Sequence, residues 1–318
     1  MSQPIPVLLV GLGNIGFRHL QGMAAIASRV ALTAVDPSGE ARQRAADEWT
    51  KAGGADARFL SDLSGIDAAE VAIVATSAAG RLELMRQVVD GARPSRLVLE
   101  KVVFQDVDHF EQARDLARAA GVKVWVNCPR RLWPAYGALA EALKGEAFTL
   151  RVRGRNIGLA CNGVHFIDLL QFLAGYPDVS VESAAIDDVV PAKREGYFEC
   201  FGALALVTPS GARLEIEVRP DSPEKTEVEI LRPGGELIAV DDAAGVVANL
   251  GGEARRDFGR SPYQSELTGD VVLDLFERND CDLATLEDSE AAHRAFLGAL
   301  KPAFDARGVD TSGGLPIT

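Results

Sequence analysis

The sequence predicts an α/β domain followed by an α+β domain. The chain has 318 residues, which is enough for about two domains that each bury a core of their own. Apolar residues make up 47% of the chain and charged residues 25%, and the mean hydropathy is +0.05, a balance typical of a packed globular protein. Short apolar runs alternate with helical segments up to about residue 126, and strands separated by turns dominate the remainder. These patterns predict two different kinds of sheet in one chain.

The first part of the chain, residues 1–127, is predicted to be a doubly wound α/β domain. Its six strand candidates are 5–10, 30–35, 57–60, 71–75, 96–100 and 122–126. Residues 107–120 carry one apolar helical stripe and are followed by Gly121, a common helix terminator. Nearly continuous apolar strands between amphipathic helices are typical of a parallel sheet covered on both faces.

The second part, residues 128–318, is predicted to be an α+β domain with an open-faced, mostly antiparallel sheet. Helices are expected at about 135–144, 163–174, 264–278 and 288–304, with strands that include 148–155 and 201–207. Leu214, Ile216 and Val218 alternate with charged residues, so their strand has one apolar face. That face needs cover from a helix of the same chain or from the sheet of another subunit. We therefore expect a homo-oligomer, a dimer or a tetramer.

Charge and targeting features disfavour several classes of protein. With 33 basic and 46 acidic side chains the net charge is −13, which disfavours binding to nucleic acid or to anionic membranes. The uncharged stretch 5–17 is too short to span a bilayer, and the N-terminus lacks the features of a signal peptide, so a cytoplasmic location is expected. The four cysteines are scattered, so neither a disulfide framework nor a metal site is expected.

Gly11, Gly13 and Gly16 form a G-x-G-x-x-G motif between the first strand and a predicted helix start at 17–20. The first glycine permits a tight turn, the second lets a pyrophosphate approach the backbone, and the third lets the helix pack closely on the strand. The phosphates would rest on the helix N-terminus. The motif therefore predicts a dinucleotide-binding loop, which also contains Asn14 and Ile15.

Asp36 follows the second strand, twenty residues beyond Gly16. A carboxylate at this position can accept hydrogen bonds from an adenosine ribose and repel a 2′-phosphate, so it favours NAD over NADP. The alternative is that the glycines only form a turn and that Asp36 only caps the second helix.

Lys101 follows the fifth strand, 96–100. Ligands of open α/β sheets bind beyond the carboxyl ends of the strands, so the lysine is expected at the cofactor crevice. Its ammonium group could donate a hydrogen bond to a substrate oxygen and stabilise negative charge there. The alternative is a solvated lysine that pairs with Glu100 in a surface loop.

Residues 158–170 are predicted to be a loop that leads into a helix, with Asn162 as its N-cap and His165 in its first turn. The helix dipole would then favour a neutral imidazole that can accept a proton near pH 7. Asp168 lies three residues further on, on the same helix face, and is expected to orient the imidazole or to cap a neighbouring group. A purely structural histidine is the alternative.

Three arginines alternate along one predicted strand and therefore share a face: Arg151, Arg153 and Arg155. They could bind a carboxylate or a nucleotide diphosphate of a substrate. Pairing with glutamates across the sheet is the favoured alternative, because Glu215 and Glu217, or Glu227 and Glu229, alternate in the same way.

Several of these motifs together resemble the Gfo/Idh/MocA family of oxidoreductases, and the resemblance covers nearly the whole chain. It rests on Asp36 and on the segments VLLVGLGNIGFRH, VAIVATS, LVLEKV, VNCPRRLWPAY and NGVHFIDLL. It implies a Rossmann domain, a second domain whose open sheet often pairs subunits, and hydride transfer between a nicotinamide cofactor and a sugar, polyol or sugar derivative. By this resemblance Lys101 and His165 form the acid/base pair, with Asp168 beside them. The expected NAD contacts are Gly11, Gly13, Asn14, Ile15, Gly16, Asp36, Thr76, Glu100, Lys101, Asn127 and Arg131.

The chain departs from the family pattern at two positions. Val102 replaces the proline that usually follows Glu-Lys, and Cys161 stands four residues before His165, where family members with a D-x-G-x-H pattern carry an aspartate. A thiol replaces a carboxylate as a charged partner only if its pKa is depressed. Two other functions therefore stay open: an NAD-binding sensor or pathway partner without turnover, and an S-adenosylmethionine-dependent methyltransferase, whose first loop is also rich in glycine.

Overall fold

A computed structural model describes residues 3–175 and 178–318. The chain divides into two compact units. The first unit comprises Met1–Phe104, Asp108–Pro129 and Pro262–Leu286, and the second comprises Gln105–Val107, Arg130–Ser261 and Glu287–Thr318. The sequence predicted a single domain boundary between residues 127 and 128, whereas in the structure the later segment Pro262–Leu286 also belongs to the first unit.

The helices and strands of the described residues follow the predicted alternation. In chain order they are β1 (Ile5–Val10), α1 (Asn14–Ala24), β2 (Val30–Val35), α2 (Gly39–Lys51), β3 (Ala57–Leu60), β4 (Val71–Val74), α3 (Arg81–Ala92), β5 (Arg96–Glu100), α4 (Asp108–Ala120), β6 (Lys123–Asn127), α5 (Pro134–Ala142), β7 (Thr149–Arg153), α6 (Leu159–Ala174), β8 (Ser180–Pro191), β9 (Phe198–Val207), β10 (Arg213–Val218), β11 (Glu227–Leu231), β12 (Leu237–Asp241), β13 (Val246–Leu250), β14 (Glu253–Asp257), α7 (Gln264–Arg278), β15 (Ala284–Thr285) and α8 (Leu286–Ala306).

The sheet of the first unit has the strand order β15-β6-β5-β4-β1-β2-β3. The strands β1 to β6 pair in parallel, and the short β15 pairs antiparallel with β6. All four residues of β4 are buried, as expected for a central strand with helices on both faces. The predicted doubly wound sheet is thus confirmed. Because the six parallel strands end at the same edge, the polar residues that follow them are gathered there.

Glycine allows α1 and α7 to pack closely within the first unit. A Cβ on Gly22 would lie 2.8 Å from the Cβ of Thr268, and a Cβ on Gly269 would lie 2.8 Å from the carbonyl oxygen of Gly22. A larger residue at either position would force the helices apart. This contact places Gln264 and Thr268 beside His19 of α1, and it explains why a segment so late in the chain belongs to the first unit.

The sheet of the second unit has the strand order β14-β13-β12-β11-β7-β10-β9-β8. Among the residues that the structure describes, β7 with β10 is its only parallel pair. The predicted, mostly antiparallel sheet is confirmed. Helix α6 packs on β9 and β10. The apolar residues of β10, Leu214, Ile216 and Val218, are buried within the unit. The face that suggested a homo-oligomer is therefore covered by the chain itself, and that argument for an oligomer no longer holds.

The two arginines of β7, Arg151 and Arg153, are paired across the sheet as the favoured interpretation predicted. Arg151 contacts Glu215 at 2.9 Å, and Arg153 contacts Glu217 at 3.4 Å. Arg155 lies 2.8 Å from Glu224 instead of from a glutamate on a neighbouring strand. Within the part of the chain that the structure describes, no helix is both long enough and apolar enough to cross a membrane.

Candidate functional site

The glycine loop of the first unit has the geometry that the motif predicts. Gly11 has a φ of +93°, and a Cβ there would lie 3.0 Å from Thr76 Cγ2. A Cβ on Gly16 would lie 1.8 Å from the carbonyl oxygen of Gly11, so this position requires glycine for helix packing. A Cβ on Gly13 would meet nothing within 4 Å, so the space beside it is open. Helix α1 begins at Asn14, three residues earlier than predicted, and its first-turn amides border that space.

Asp36 lies at the carboxyl end of β2 and holds the glycine loop. Its Oδ2 accepts a hydrogen bond of 2.6 Å from the backbone N–H of Leu12, and its Oδ1 accepts one of 2.8 Å from the N–H of Ser38. The N-cap of α2 is Ser38, whose hydroxyl accepts from Ala41 N–H at 3.2 Å, so the alternative in which Asp36 caps this helix is wrong. The half-buried carboxylate thus lies next to the glycine loop, which is the position predicted for a ribose ligand.

Two arginines of α2 donate hydrogen bonds to the backbone of the glycine loop and of Asp36. Arg44 donates a 2.8 Å hydrogen bond to the carbonyl oxygen of Leu12, and its guanidinium lies 4.4 Å from the ring centroid of Phe17. Arg42 donates a 2.6 Å hydrogen bond to the carbonyl oxygen of Asp36. The peptide groups of Leu12 are therefore held on one side by Asp36 and on the other by Arg44. The sequence pattern does not point to either arginine, because their partners are backbone atoms.

The segment around Lys101 is held by a buried arginine. Arg81 is 1% exposed and is the first residue of α3. Its Nη1 donates to the carbonyl oxygens of Glu100, Val102 and Val103, the last at 2.9 Å, and its Nη2 donates to that of Thr76. The Lys101–Val102 peptide bond is cis. Arg81 thus joins the backbone after β4 to the backbone after β5, where two predicted site residues lie. No motif pointed to Arg81.

The side chain of Glu100 is engaged by buried groups of the first unit and not by solvent. Its Oε1 accepts hydrogen bonds from His19 Nε2 at 2.8 Å and from Asn127 Nδ2 at 2.5 Å. Burial alone would raise the pKa of Glu100, but His19, the ammonium of Lys101 and the Asn127 amide together lower it below its ordinary range. The carboxylate is therefore ionised at neutral pH. The alternative of a solvated Glu100–Lys101 surface pair does not describe this arrangement.

Helix α6 of the second unit begins earlier than predicted. Its N-cap is Gly158, with a φ of +74°, and its first residue is Leu159. The carboxylate of Glu199 accepts hydrogen bonds from Ala160 N–H at 2.5 Å and from Cys161 N–H at 3.3 Å, and so caps the helix start. The prediction that Asn162 is the N-cap is wrong, because its side chain donates to the carbonyl oxygen of Ile157 from within the helix.

His165 consequently lies in the second turn of α6 and not in the first. It is 8% exposed. Since the effect of a helix dipole falls off within the first turn, the predicted influence of the dipole on this imidazole does not apply. The sequence did not reveal the earlier start because the capping carboxylate comes from β9, some forty residues further along the chain.

Asp168 pairs with Arg131 within the second unit. Arg131 Nη2 donates to Oδ1 at 2.7 Å and Arg131 Nε donates to Oδ2 at 3.1 Å, with both side chains buried. Burial raises the pKa of Asp168 above its ordinary value, although Arg131 opposes that change. The expectation that Asp168 orients the imidazole of His165 is therefore replaced by a bidentate ion pair. The same pair accounts for Arg131, which was expected to contact the cofactor.

Arg130 belongs to a second polar cluster, which sequence analysis did not find. Asp242 accepts a 2.6 Å hydrogen bond from the Tyr136 hydroxyl and a 3.2 Å hydrogen bond from Arg130 Nη2. Burial raises the pKa of Tyr136 well above its usual value, and the charge of Asp242 acts in the same direction, so the phenol remains a donor. The guanidinium of Arg130 lies 4.3 Å from the ring centroid of Phe166, the residue after His165.

The sheet edge of the first unit gathers most of the predicted cofactor residues. They lie at the carboxyl ends of β1, β2, β4, β5 and β6: Gly11, Gly13, Asn14, Ile15, Gly16, Asp36, Thr76, Glu100, Lys101 and Asn127. His165, Asp168 and Arg131 belong to the second unit. Among the described residues, no group of three or more His, Cys, Asp or Glu side chains is placed to hold a metal ion.

A glycine loop and a carboxylate that follow neighbouring strands at one edge of a parallel sheet are typical of a Rossmann domain that binds a dinucleotide. Residues 5–128 match the model of the Gfo/Idh/MocA oxidoreductase family, which is described as having an NAD-binding Rossmann fold. Over these residues the chain is similar to that family, in agreement with the resemblance of its motifs. The family description also confirms the predicted enzyme class and the predicted cofactor, NAD.

Solved structures resemble the chain over nearly its whole length. GenD2 from gentamicin A biosynthesis, in complex with NAD, is 19% identical with a TM-score of 0.72, and the match covers 96% of each chain. The WlbA dehydrogenase from Bordetella pertussis, in complex with NADH and UDP-GlcNAcA, is 20% identical with a TM-score of 0.66 over 96% of this chain and 98% of the other. Scyllo-inositol dehydrogenase from Lactobacillus casei, with NAD(H) and scyllo-inositol, is 14% identical with a TM-score of 0.66 over the same shares. Among curated proteins, no match is found.

Proposed function

We propose that this chain is an NAD-dependent dehydrogenase or reductase that acts on a hydroxyl or keto carbon of a sugar, polyol or sugar nucleotide. The observation that carries the proposal is the sheet edge of the first unit, where an open helix N-terminus, the Asp36 carboxylate and Lys101 follow strands of one parallel sheet. The substrate class is supported by the structural relatives, one of which is described with scyllo-inositol and another with UDP-GlcNAcA.

His165 and Lys101 have different roles in the oxidation of a CH–OH group. When bound, the nicotinamide accepts the hydride from carbon, or donates it in the reverse reaction. His165 accepts the proton that the hydroxyl group loses and returns it in reduction. The ammonium group of Lys101 donates a hydrogen bond to the substrate oxygen and stabilises the negative charge that develops on it.

Asp168 and Arg131 support this chemistry without touching the substrate. Their bidentate pair of 2.7 and 3.1 Å uses both oxygens of the carboxylate. Breaking such a buried pair leaves an uncompensated charge, so it stabilises the packing around α6 only while both partners are present. We assign Asp168 to positioning and keep Lys101 and His165 as the catalytic residues.

The first experiment is a fluorescence titration of the purified protein with NADH and with NADPH. Because the Asp36 carboxylate repels a 2′-phosphate, NADH should bind at least about tenfold more tightly. Turnover of a panel of sugars, polyols and nucleotide sugars is then followed by the absorbance of NADH. Tighter binding of NADPH would overturn the role of Asp36, and failure of both nucleotides to bind would overturn the proposed function.

A second candidate is an NAD-binding sensor or pathway partner without turnover. It is favoured by one feature, the thiol of Cys161 in place of the carboxylate that the family pattern has there. Glu199 brings a carboxylate to the same helix start, but it is engaged with backbone N–H groups. Tight NADH binding with no turnover across the substrate panel would favour this second candidate.

A further inference from the structure

Glu100 and Asn127 are the last residues of two neighbouring parallel strands, β5 and β6, and pair with each other in the sheet register. Their side chains are 4% and 3% exposed. Asn127 Nδ2 donates to Glu100 Oε1 at 2.5 Å and to Gln264 Oε1 at 3.0 Å. The amide of Asn127 therefore spans the gap between a carboxylate and a second amide.

The orientation of the Asn127 amide is determined by its two neighbours. An ionised carboxylate can only accept hydrogen bonds, so Asn127 must present its NH₂ group to Glu100. Gln264 is oriented in turn, because its Nε2 donates to Thr268 Oγ1 at 3.1 Å and leaves Oε1 as the acceptor toward Asn127. A reversed amide would place two oxygens of Asn127 and Glu100 against each other.

His19 fixes the other side of the carboxylate. Its Nε2 lies 2.8 Å from Glu100 Oε1, and its Nδ1 lies 2.9 Å from Thr268 Oγ1. His19 and Thr268 are each 1% exposed, so both side chains are enclosed by the packing of α1 and α7. The buried hydrogen bonds from Thr268 to His19 and from His19 to Glu100 therefore fix the carboxylate that binds Asn127 Nδ2. They thereby determine that Oδ1 is the atom of Asn127 available to another donor.

The remaining polar atom of Asn127 is its carbonyl oxygen, Oδ1. In the part of the chain that the structure describes, both hydrogen bonds of this side chain use Nδ2, and Oδ1 accepts none. This oxygen is not among the buried polar atoms that lack a partner, so it is accessible from the surface at the end of the strand. The carboxyl edge of the sheet therefore presents one oriented acceptor at the end of β6.

The strand order indicates which part of a dinucleotide reaches this acceptor. The glycine loop follows the central strand β1, and Asp36 follows β2 on one side of it. An adenosine bound at Asp36 leaves the other half of the dinucleotide to extend over the opposite side, where β4, β5 and β6 end. That half carries the carboxamide group, whose NH₂ is a donor.

We propose that Asn127 Oδ1 accepts a hydrogen bond from the carboxamide NH₂ of the nicotinamide, and that Glu100, anchored by His19, is the positioning residue that orients Asn127 for this contact. The inference rests on the proposed function, since it needs a nicotinamide dinucleotide in the site. It assigns Glu100 a role through Asn127 instead of a direct contact with the cofactor.

The test compares two oxidised dinucleotides in a calorimetric titration of the whole chain: NAD and its 3-acetylpyridine analogue, in which an acetyl group replaces the carboxamide and removes the N–H donor. Wild-type protein should bind NAD roughly fivefold or more tightly than the analogue, the worth of one hydrogen bond. Glu100→Gln permits the Asn127 amide to turn round, so this preference should fall toward one, mainly through weaker NAD binding.

Glu70→Gln is the matched control, because Glu70 precedes β4 at the opposite edge of the sheet and pairs with Arg96. This variant should keep the wild-type preference. Equal binding of the two dinucleotides by wild-type protein, or full preference in a folded Glu100→Gln variant, would overturn the inference. If Glu100→Gln does not fold, Asn127→Ala decides instead, because retained preference without Oδ1 contradicts the proposal. Failure of wild-type protein to bind either dinucleotide would instead contradict the proposed function.

Discussion

The guanidinium of Arg81 binds carbonyl oxygens on both sides of Lys101. Its Nη1 donates hydrogen bonds to the carbonyl oxygens of Glu100, Val102 and Val103, and its Nη2 donates one to the carbonyl oxygen of Thr76. A residue that contributes no atom to the surface thus fixes the backbone from which the proposed oxyanion-stabilising lysine projects. The position of Lys101 depends on this buried contact, which connects the end of β4 to the end of β5.

Replacing Arg81 by Met should destabilise the protein by about 3 kcal/mol or more, because three buried carbonyl oxygens and one partly buried carbonyl oxygen lose a charged donor. Urea denaturation measures this loss. Arg81→Lys should recover part of the stability but less of the turnover, since a single ammonium group cannot hold four carbonyls in a fork. The control is Arg86→Met on the same helix, which loses only a 3.5 Å contact to Gln112 and should change stability by less than about 0.5 kcal/mol. A neutral Arg81→Met variant would contradict the assignment.

Substitutions at two glycines of the loop should have different effects: one should weaken cofactor binding, and the other should lower the stability of the protein. Gly13 has a negative φ and open space at its Cβ position, so Gly13→Ala should leave the melting temperature nearly unchanged. It should weaken NADH binding by about tenfold or more, because the methyl group occupies the approach to the pyrophosphate. Gly16→Ala should lower the melting temperature instead, since its Cβ would lie 1.8 Å from Gly11 O. Equal melting temperatures for the two variants would contradict this division.

Substituting Asp36 should change the cofactor preference. Asp36→Ser removes the charge that repels a 2′-phosphate but keeps an oxygen that can accept from Leu12 N–H. The ratio of the NADPH and NADH dissociation constants should shift toward NADPH by about tenfold, which corresponds to about 1.4 kcal/mol. Fluorescence titration with both nucleotides measures the shift. An unchanged ratio would show that Asp36 only holds the loop.

Lys101→Met and His165→Ala should each lower kcat by on the order of a hundredfold or more while the NADH dissociation constant changes little. The reason is that both groups act on charge and protons that move only during the reaction. Steady-state kinetics on the best substrate of the panel, with NADH titrations of the same preparations, checks this. Turnover at the wild-type rate by both variants would exclude the two assignments.

Acidification should weaken the fold through Glu100. Its pKa in the folded protein lies below the ordinary value of 4.5, so it contributes stability that is fully present above that value. That stability is lost as the pH falls below the ordinary value toward the lowered pKa, because the proton removes the charge that His19 and Asn127 bind. Glu100→Gln should therefore be less stable than wild type at pH 7 and should have a flatter acid limb in a plot of unfolding free energy against pH. Parallel limbs would contradict the role of this carboxylate.

The first unit shows how far local patterns reach. Short runs rich in apolar residues predicted β1, β2, β3 and β5 with their observed bounds. Nearly continuous apolar side chains are typical of central strands that are covered on both faces, whereas β3 lies at the sheet edge and is only partly buried. The loop glycines and Asp36 were also recognisable, since their roles depend on backbone geometry and spacing within one β-α-β segment.

The sequence by itself determined the parallel sheet, the dinucleotide loop and the carboxylate beside it, because each depends on residues close together in the chain. The tertiary structure decided the rest. Glu199 of β9 caps the start of α6, so this helix begins before Asn162. Arg131 forms an ion pair with the carboxylate of Asp168. Arg81 and His19 have backbone carbonyls or a distant carboxylate as partners. Such contacts join residues far apart in sequence and leave no periodicity, so only the folded chain brings them together.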